Sequence, residues 1–397
     1  MRLRRNRDFL LYQTGQLLSA AGSSFSSVAY PLLVLALTHS PAQAGLVSFV
    51  RLLPSPLLGL VAGILSDRLD RKRIMLGADL LRALAIGGVA AVVWHGGGFW
   101  PIPLLAFVDG AGDAFFFGCS SAVLRSVVPP EQLPEAVSVQ QGRSAVVGIG
   151  GPPLGGVLFA VARALPFVVD AVSYAFSFVA LLAMRTPFQQ AREPRPWRIR
   201  ADLREGFRFL WTQPFLRATT FFYAAGNVTI PALLFVLVVA GRRQGLSGGE
   251  VGALLAVFSG GILVGSFLGG LVRRRLSVRG VVLCEAYLGL LTVAFVVHPS
   301  IWVLLIAALP QAVVLPITDS YVISHRIAAT PDHLLGRAEA VRLTIARSAQ
   351  PFGPLVAGVL IAAASPRATV ACLVALSAAV AVYATSARAL REPPPLV

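Results

Sequence analysis

Residues 63–73 read Gly-Ile-Leu-Ser-Asp-Arg-Leu-Asp-Arg-Lys-Arg. One long apolar run precedes them, about residues 42–65, and another follows, residues 74–94. Two apolar segments joined by a short loop with four Lys/Arg in eight residues form a hairpin with a basic turn. In a membrane protein such a turn stays in the cytoplasm. Gly63 permits a close helix approach, and Asp67 places an anion at a helix end. Arg68, Arg71, Lys72 and Arg73 supply the cations.

The rest of the chain fits that hairpin. It has 397 residues, 56% hydrophobic and 13% charged, whereas soluble domains carry about 25% charged residues. A helix needs roughly 20 apolar residues to cross a ~30 Å hydrocarbon core. Twelve stretches qualify, at about 9–37, 43–65, 74–95, 101–125, 137–161, 166–184, 215–240, 250–272, 280–297, 301–325, 338–363 and 368–388. Lipid offers the backbone no hydrogen-bond partners, so these spans are helices. They are too continuous for barrel strands, whose side chains alternate.

The net charge is +16, and the cations gather at the ends of apolar runs, so they read as topology signals rather than a nucleic-acid surface. With the N-terminus inside, cytoplasmic segments hold 25 Lys/Arg, outer loops hold four and spans hold five. That asymmetry predicts a multi-pass protein of the inner (plasma) membrane with both termini cytoplasmic. Arg2, Arg4, Arg5 and Arg7 precede an apolar run too long for a signal peptide, which reads as the retained first span. Cys119, Cys284 and Cys372 fall inside apolar stretches and read as small packing residues. The histidines lack ligand-spaced partners, so neither a metal nor a cofactor is expected.

The one long polar segment, 185–214, divides the chain into six spans (1–184) and six spans (215–397). Gln189 to Pro196 reads as extended. Beyond it, Leu203, Phe207, Leu210 and Trp211 recur at helical spacing opposite Arg200, Arg204 and Arg208. That pattern predicts a helix lying on the inner membrane surface. The halves also repeat. Ser40, Gly45 and Gly63 correspond to Ser247, Gly252 and Gly270 at an offset of 207. Gly151-Pro152-x-x-Gly155-Gly156 corresponds to Gly353-Pro354-x-x-Ala357-Gly358 at 202. In the second copy of the basic loop, Arg274 stands where Asp67 would be.

The 63–73 loop resembles the signature G-x-L-a-D-R-x-G-R-K/R of the major facilitator superfamily, matched by Gly63, Leu65, Asp67, Arg68, Arg71 and Lys72. Asp70 stands where that family usually has Gly. The stretch Gly148 to Gly156 resembles the G-x-x-x-G-P-x-x-G-G motif that goes with exporters and antiporters of the family, through Gly151, Pro152, Gly155 and Gly156. Val147 replaces its first Gly. Residues 109–116 (Asp-Gly-Ala-Gly-Asp-Ala-Phe-Phe), 128–133 and 203–210 are similar to the enterobactin- and macrolide-exporter branch. The resemblance implies an all-helical membrane protein of twelve helices in two six-helix bundles around a central cavity. It also implies proton-driven export of a small organic molecule by rocking of the halves, by a monomer. Asp67 would then hold one state by accepting hydrogen bonds at a helix N-terminus near Gly336 to Glu339.

Charged groups inside spans are costly and usually face a cavity or one another. Arg51 and Asp109 lie at equal depth in spans 2 and 4, and Asp113 is one turn beyond Asp109. Two readings stand: a fixed Arg51–Asp109 pair, or a proton-binding pair Asp109/Asp113 with Arg51 as its release trigger. Asp79 and Arg82, three residues apart, are expected to satisfy each other or a neighbour. Arg143, Asp319, Arg342 and Arg347 could line a cavity, and Asp170 reads as a cap or packing acid. Gly110-x-Gly112-Asp113 also fits a short intramembrane-protease pattern, which twelve spans in two repeats argue against. Other readings of the fold are an importer, a lipid carrier, or a non-transporting sensor or scaffold. Small-molecule substrate, protons and lipid are the expected partners, and no nucleic acid.

Overall fold

A computed structural model describes residues 3, 6–188, 199–272 and 275–391, without the side chains of 64, 67, 121, 122, 125, 199–202, 332, 333, 335 and 336. The described residues form helices joined by short turns, with no strand among them. Among the described residues, twelve helical segments are long and apolar enough to cross a membrane. Nine spans are single helices: α1 (Arg7–Thr38), α4 (Arg71–Trp94), α5 (Pro101–Val127), α6 (Leu133–Val161), α7 (Leu165–Ala183), α9 (Pro214–Arg243), α10 (Gly248–Val272), α13 (Ile301–Ala329) and α16 (Pro366–Ser386).

The other three spans are broken. Span 2 is α2 (Pro41–Leu52) followed by α3 (Pro54–Arg68), with Pro54 at the start of the second piece. Proline has no N–H to donate and suits a first turn. Span 9 is α11 (Val278–Leu288), a 3-10 stretch and α12 (Val293–Val297); span 11 is α14 (Asp332–Ser348) and α15 (Phe352–Ala363). The helices α8 (Ile199–Thr212) and α17 (Arg388–Arg391) complete the chain.

Contacts divide the chain into two compact units, Met1–Arg195 with Leu246–Ala256, and Pro196–Gly245 with Val257–Val397. In the first, α1 packs on α7 and α6, α4 on α5 and α7, and α2 and α3 on α5. Phe9, Tyr12, Met75, Phe116, Cys119 and Val123 form part of its core. In the second, α9 packs on α14, α15 and α16, and α11 on α13 and α16. Phe215, Phe222, Val281, Ile317 and Tyr321 are among its core residues.

The sequence repeat reappears in the helix caps. Ser40 caps α2 by accepting from Gln43 N, and Ser247 caps α10 in a box with Glu250, 2.7 Å and 3.2 Å. Asp70 caps α4 and Ser277, 207 residues on, caps α11. The residue in place of the usual Gly thus closes a helix end, since Asp70 accepts from the N–H groups of Lys72 (2.8 Å) and Arg73 (3.2 Å).

One expectation gains a partner and another changes. The helix expected on the inner membrane surface packs on α14. Leu210 joins Leu216 and Val341 in a small core, with Leu203 against it. At Gly206 a Cβ would lie 2.6 Å from the Arg337 carbonyl, so glycine allows the approach. Only Phe207 and Trp211 stay outside, stacked on each other at 5.4 Å. Gly63 makes no close helix contact, because a Cβ there would meet nothing within 4 Å. The stretch Gln189–Pro196 and Arg274 lie outside the described residues, as do the side chains of Asp67, Arg200 and Gly336.

Candidate functional site

The charged site of the first unit is assembled by glycine. At Gly110 on α5 a Cβ would lie 2.0 Å from the Arg51 carbonyl. At Gly112 it would lie 2.5 Å from Arg82 Cγ and 3.1 Å from the Ala78 carbonyl. The two glycines therefore let α5 approach α2 on one side and α4 on the other. Asp109, next to Gly110, enters between the two arginines.

Asp109 is wholly buried and takes both cations. Arg51 Nε lies 2.9 Å from Oδ2, and Arg82 Nε lies 3.1 Å from Oδ1. Arg82 Nη1 reaches Asp113 Oδ1 at 3.1 Å, and Nη2 donates to Ser23 at 3.4 Å. Tyr174 lies under the Arg82 guanidinium, 4.3 Å to the ring centroid, and Tyr30 under Arg51 at 5.3 Å. Tyr30 is steadied edge-on by Phe167. Each contact matters because a buried charge without a partner costs several kcal/mol. Asp113 differs from Asp109 in one respect: 58% of its side-chain surface is exposed, against 1%.

The Arg51–Asp109 pair, one of the two readings, is thus present, and it is joined by Arg82, which is satisfied by a neighbouring helix and not by Asp79. Asp79 is fully buried, and neither carboxylate oxygen has a hydrogen-bond partner. Arg82 is drawn away because an acid on the neighbouring helix α5 can approach its guanidinium head-on. An i,i+3 pair contributes only about 0.2–0.5 kcal/mol. Asp170 is a packing acid, accepting from Ser26 and Ser173. Arg143 Nη1 donates to Gln13 at 2.9 Å. Phe116 and Phe222 are core residues, whereas Phe117 and Phe221 are exposed.

The basic loop holds a helix end. Lys72 Nζ donates to the carbonyls of Leu182 (3.1 Å) and Met184 (2.7 Å), where α7 ends. Arg71 Nε donates to the Ser66 carbonyl at 2.8 Å. A cation at a helix C-terminus satisfies carbonyls that lack partners. Arg68 is exposed. The Gly-Pro motif of α6 is a packing surface. A Cβ at Gly151 would lie 2.2 Å from Ser24 Oγ, at Gly155 2.7 Å from Phe25 Cα, and at Gly156 2.0 Å from the Gly248 carbonyl. Those glycines bring α1 and the opening turns of α10 onto α6, through Pro152, which stays inside an unbroken helix.

The second unit has a different polar site. Arg326 and Arg342, both buried, flank Glu339. Arg342 binds it twice, at 2.8 and 2.5 Å, and Arg326 Nη2 stands 4.0 Å away. The Arg326 guanidinium lies 5.7 Å from the Tyr223 ring, and Asp319 is nearby. A cavity of about 200 Å3 adjoins them, walled by Leu210, Leu216, Ile323, Ile327 and Ala338.

Tyr30, Tyr174, Ser23 and the bridging part of Arg82 escaped sequence reasoning. The available signal was the pair Gly110 and Gly112 beside two acids, which matched a protease pattern but here marks helix approach.

Residues 14–325 match the sequence family described as Major Facilitator Superfamily. The multidrug efflux pump Tap of Mycobacterium tuberculosis (strain ATCC 25618 / H37Rv) is 30% identical over 95% of this chain and 92% of that protein. Macrolide efflux protein A of Streptococcus pyogenes is 28% identical over 45% of each chain. A crystal structure of a bacterial homologue of the iron transporter ferroportin, in an inward-facing state, superposes with a TM-score of 0.76 at 18% identity, covering 97% of this chain and 99% of that one.

Proposed function

The chain belongs to the major facilitator superfamily, a family of transporters rather than enzymes, and from that premise we propose that it is a secondary active exporter. It expels a small organic molecule by alternating access, with protons moving inward. The names of its relatives, a multidrug efflux pump and a macrolide efflux protein, support the direction and substrate class.

The observation that carries proton coupling is the unequal pair of acids on α5. Asp109 is sealed between Arg51 and Arg82, and Asp113 reaches water while sharing Arg82. An antiporter needs an acid that exchanges protons with water and thereby changes a buried contact. Asp113 has that access; Asp109 anchors the two cations. Protonating Asp113 removes the attraction that holds Arg82 Nη1. Arg143 and Asp319 line the substrate path. Gly63, Asp67, Arg68, Arg71 and Lys72 form the gating loop, with Asp67 favoured by a helix N-terminus by about 0.3–1 kcal/mol. Gly151, Pro152, Gly155 and Gly156 keep their helix rigid and close-packed. The protein works as a monomer in the inner membrane with both termini cytoplasmic, its halves spanning 1–184 and 215–397.

Transport into inverted vesicles tests this. An imposed proton gradient should drive uptake of at least one member of a drug and macrolide panel, and Asp113→Asn should reduce that uptake tenfold or more. Uptake by the wild type that ignores the gradient would refute proton antiport. Asp67→Asn should also lower uptake at unchanged expression.

A further inference from the structure

Asp79 is the unexplained group of the first unit. It lies on α4, three residues before Arg82 and on the same face, with no exposed surface and no hydrogen-bond partner for either oxygen. An ionised carboxylate in that position would be a bare buried charge, costing several kcal/mol. A protonated one is a small polar side chain with far less to lose. Its charged neighbour is Arg82, which is already paired. From α1 it faces Tyr12, whose hydroxyl donates to the Ser120 carbonyl at 3.3 Å. From α7 it faces Ser177, whose hydroxyl approaches its carboxyl and accepts from Gln16 at 3.3 Å. Cys119 of α5 and Arg143 of α6, the latter donating to Gln13, face the same Tyr12. The cation within reach is Arg82, and its Nε and Nη1 serve Asp109 and Asp113.

We propose that Asp79 and Asp113 form a two-acid proton switch around Arg82, in which one of the two is protonated and the other holds the guanidinium. Arg51, Arg82, Asp109 and Asp113 together cancel in charge when all four are ionised. Adding an ionised Asp79 would leave one buried negative charge uncompensated. In the arrangement seen here Asp113 holds Arg82 and Asp79 carries the proton. When the proton passes from Asp79 to Asp113, Arg82 Nη1 is released from Asp113 and turns to the carboxylate left at Asp79, one helical turn back. The proton count of the pair stays at one, while the proton moves from the exposed acid to the buried one or back. Asp109 keeps Arg82 Nε throughout, so the guanidinium pivots rather than departs. The switch rests on the proton-antiport reading and adds to it the buried acceptor and the moving part.

Carbodiimide labelling of the purified full-length protein tests the switch without using transport. Dicyclohexylcarbodiimide modifies protonated carboxyls in apolar surroundings, and peptide mass spectrometry locates the adduct. Wild-type protein should be labelled at Asp79, with the yield falling as the pH is raised. In Asp113→Asn, which frees Arg82 at every pH, labelling of Asp79 should fall by tenfold or more. Equal labelling of Asp79 in wild type and Asp113→Asn would overturn the switch. So would an unlabelled Asp79 in wild type, a result that needs no variant to fold. If vesicle uptake ignores a proton gradient while labelling behaves as expected, antiport fails and the switch stands.

Discussion

In the first unit the ion pairs lie within membrane spans: Arg51 at the end of α2 where span 2 breaks, Arg82 on α4, Asp109 and Asp113 on α5. In the second unit the residues 207 positions after Arg51 and Arg82 are Phe258 and Gly289. Phe258 is buried, and Gly289 lies against Gln311, which follows Asp109 by 202. The helix pair α11 and α13 thus packs as α4 and α5 do, with a glycine and an amide where the first unit has an ion pair. The repeated architecture does not need those charges. A buried ion pair is often no more stable than a well-packed apolar substitute, so charges present in one copy only call for a reason other than folding, and transport supplies one. The buried acid itself recurs: Glu285, 206 residues after Asp79, is also buried with one oxygen unpartnered. Its helix offers Leu288 three residues on, where α4 offers Arg82, so the cation one turn away is replaced by an apolar side chain.

Substitutions in the two units measure that difference. The largest effect is expected from Asp109→Asn, which strips the counter-charge from two buried arginines and should lower unfolding free energy by about 3–5 kcal/mol. Denaturation in detergent by tryptophan fluorescence reads it, and a change under 1 kcal/mol would mean that water reaches the site. Next comes Gly155→Ala. The corresponding residue in the second unit is already Ala357, wholly buried, whereas a Cβ at 155 would press on the Phe25 backbone at 2.7 Å. Overpacking there should cost about 1–3 kcal/mol. A smaller change is expected from Glu205→Gln, whose pair with Arg337 is 40–49% exposed, so the loss should be at most about 1 kcal/mol. Least of all, Gly63→Ala should be neutral or stabilising by up to about 1 kcal/mol, because nothing lies within 4 Å of its Cβ and alanine is the better helix former. A destabilised Gly63→Ala, measured in the same way, would show that this glycine is packed after all.

Hydropathy, charge placement and internal repetition are properties of the chain read locally, and they determined twelve helical spans, the basic loop, the polar divide near 185–214 and the register of the two halves. Periodicity also found the amphipathic helix α8, though not its partner. The side of α14 takes part of its apolar face, and Gly206 allows that approach. The same limit applied to the charges. Asp79 and Arg82 are neighbours along one helix, so local spacing allowed that pair or a neighbouring helix. Tertiary structure chose the neighbour, through contacts that bridge 58 residues from Arg51 to Asp109 and 27 from Arg82 to Asp109. Which acid meets which arginine depends on how closely the helices approach. Here Gly110 and Gly112 set that distance, and the strength of an ion pair falls with separation and with access to water.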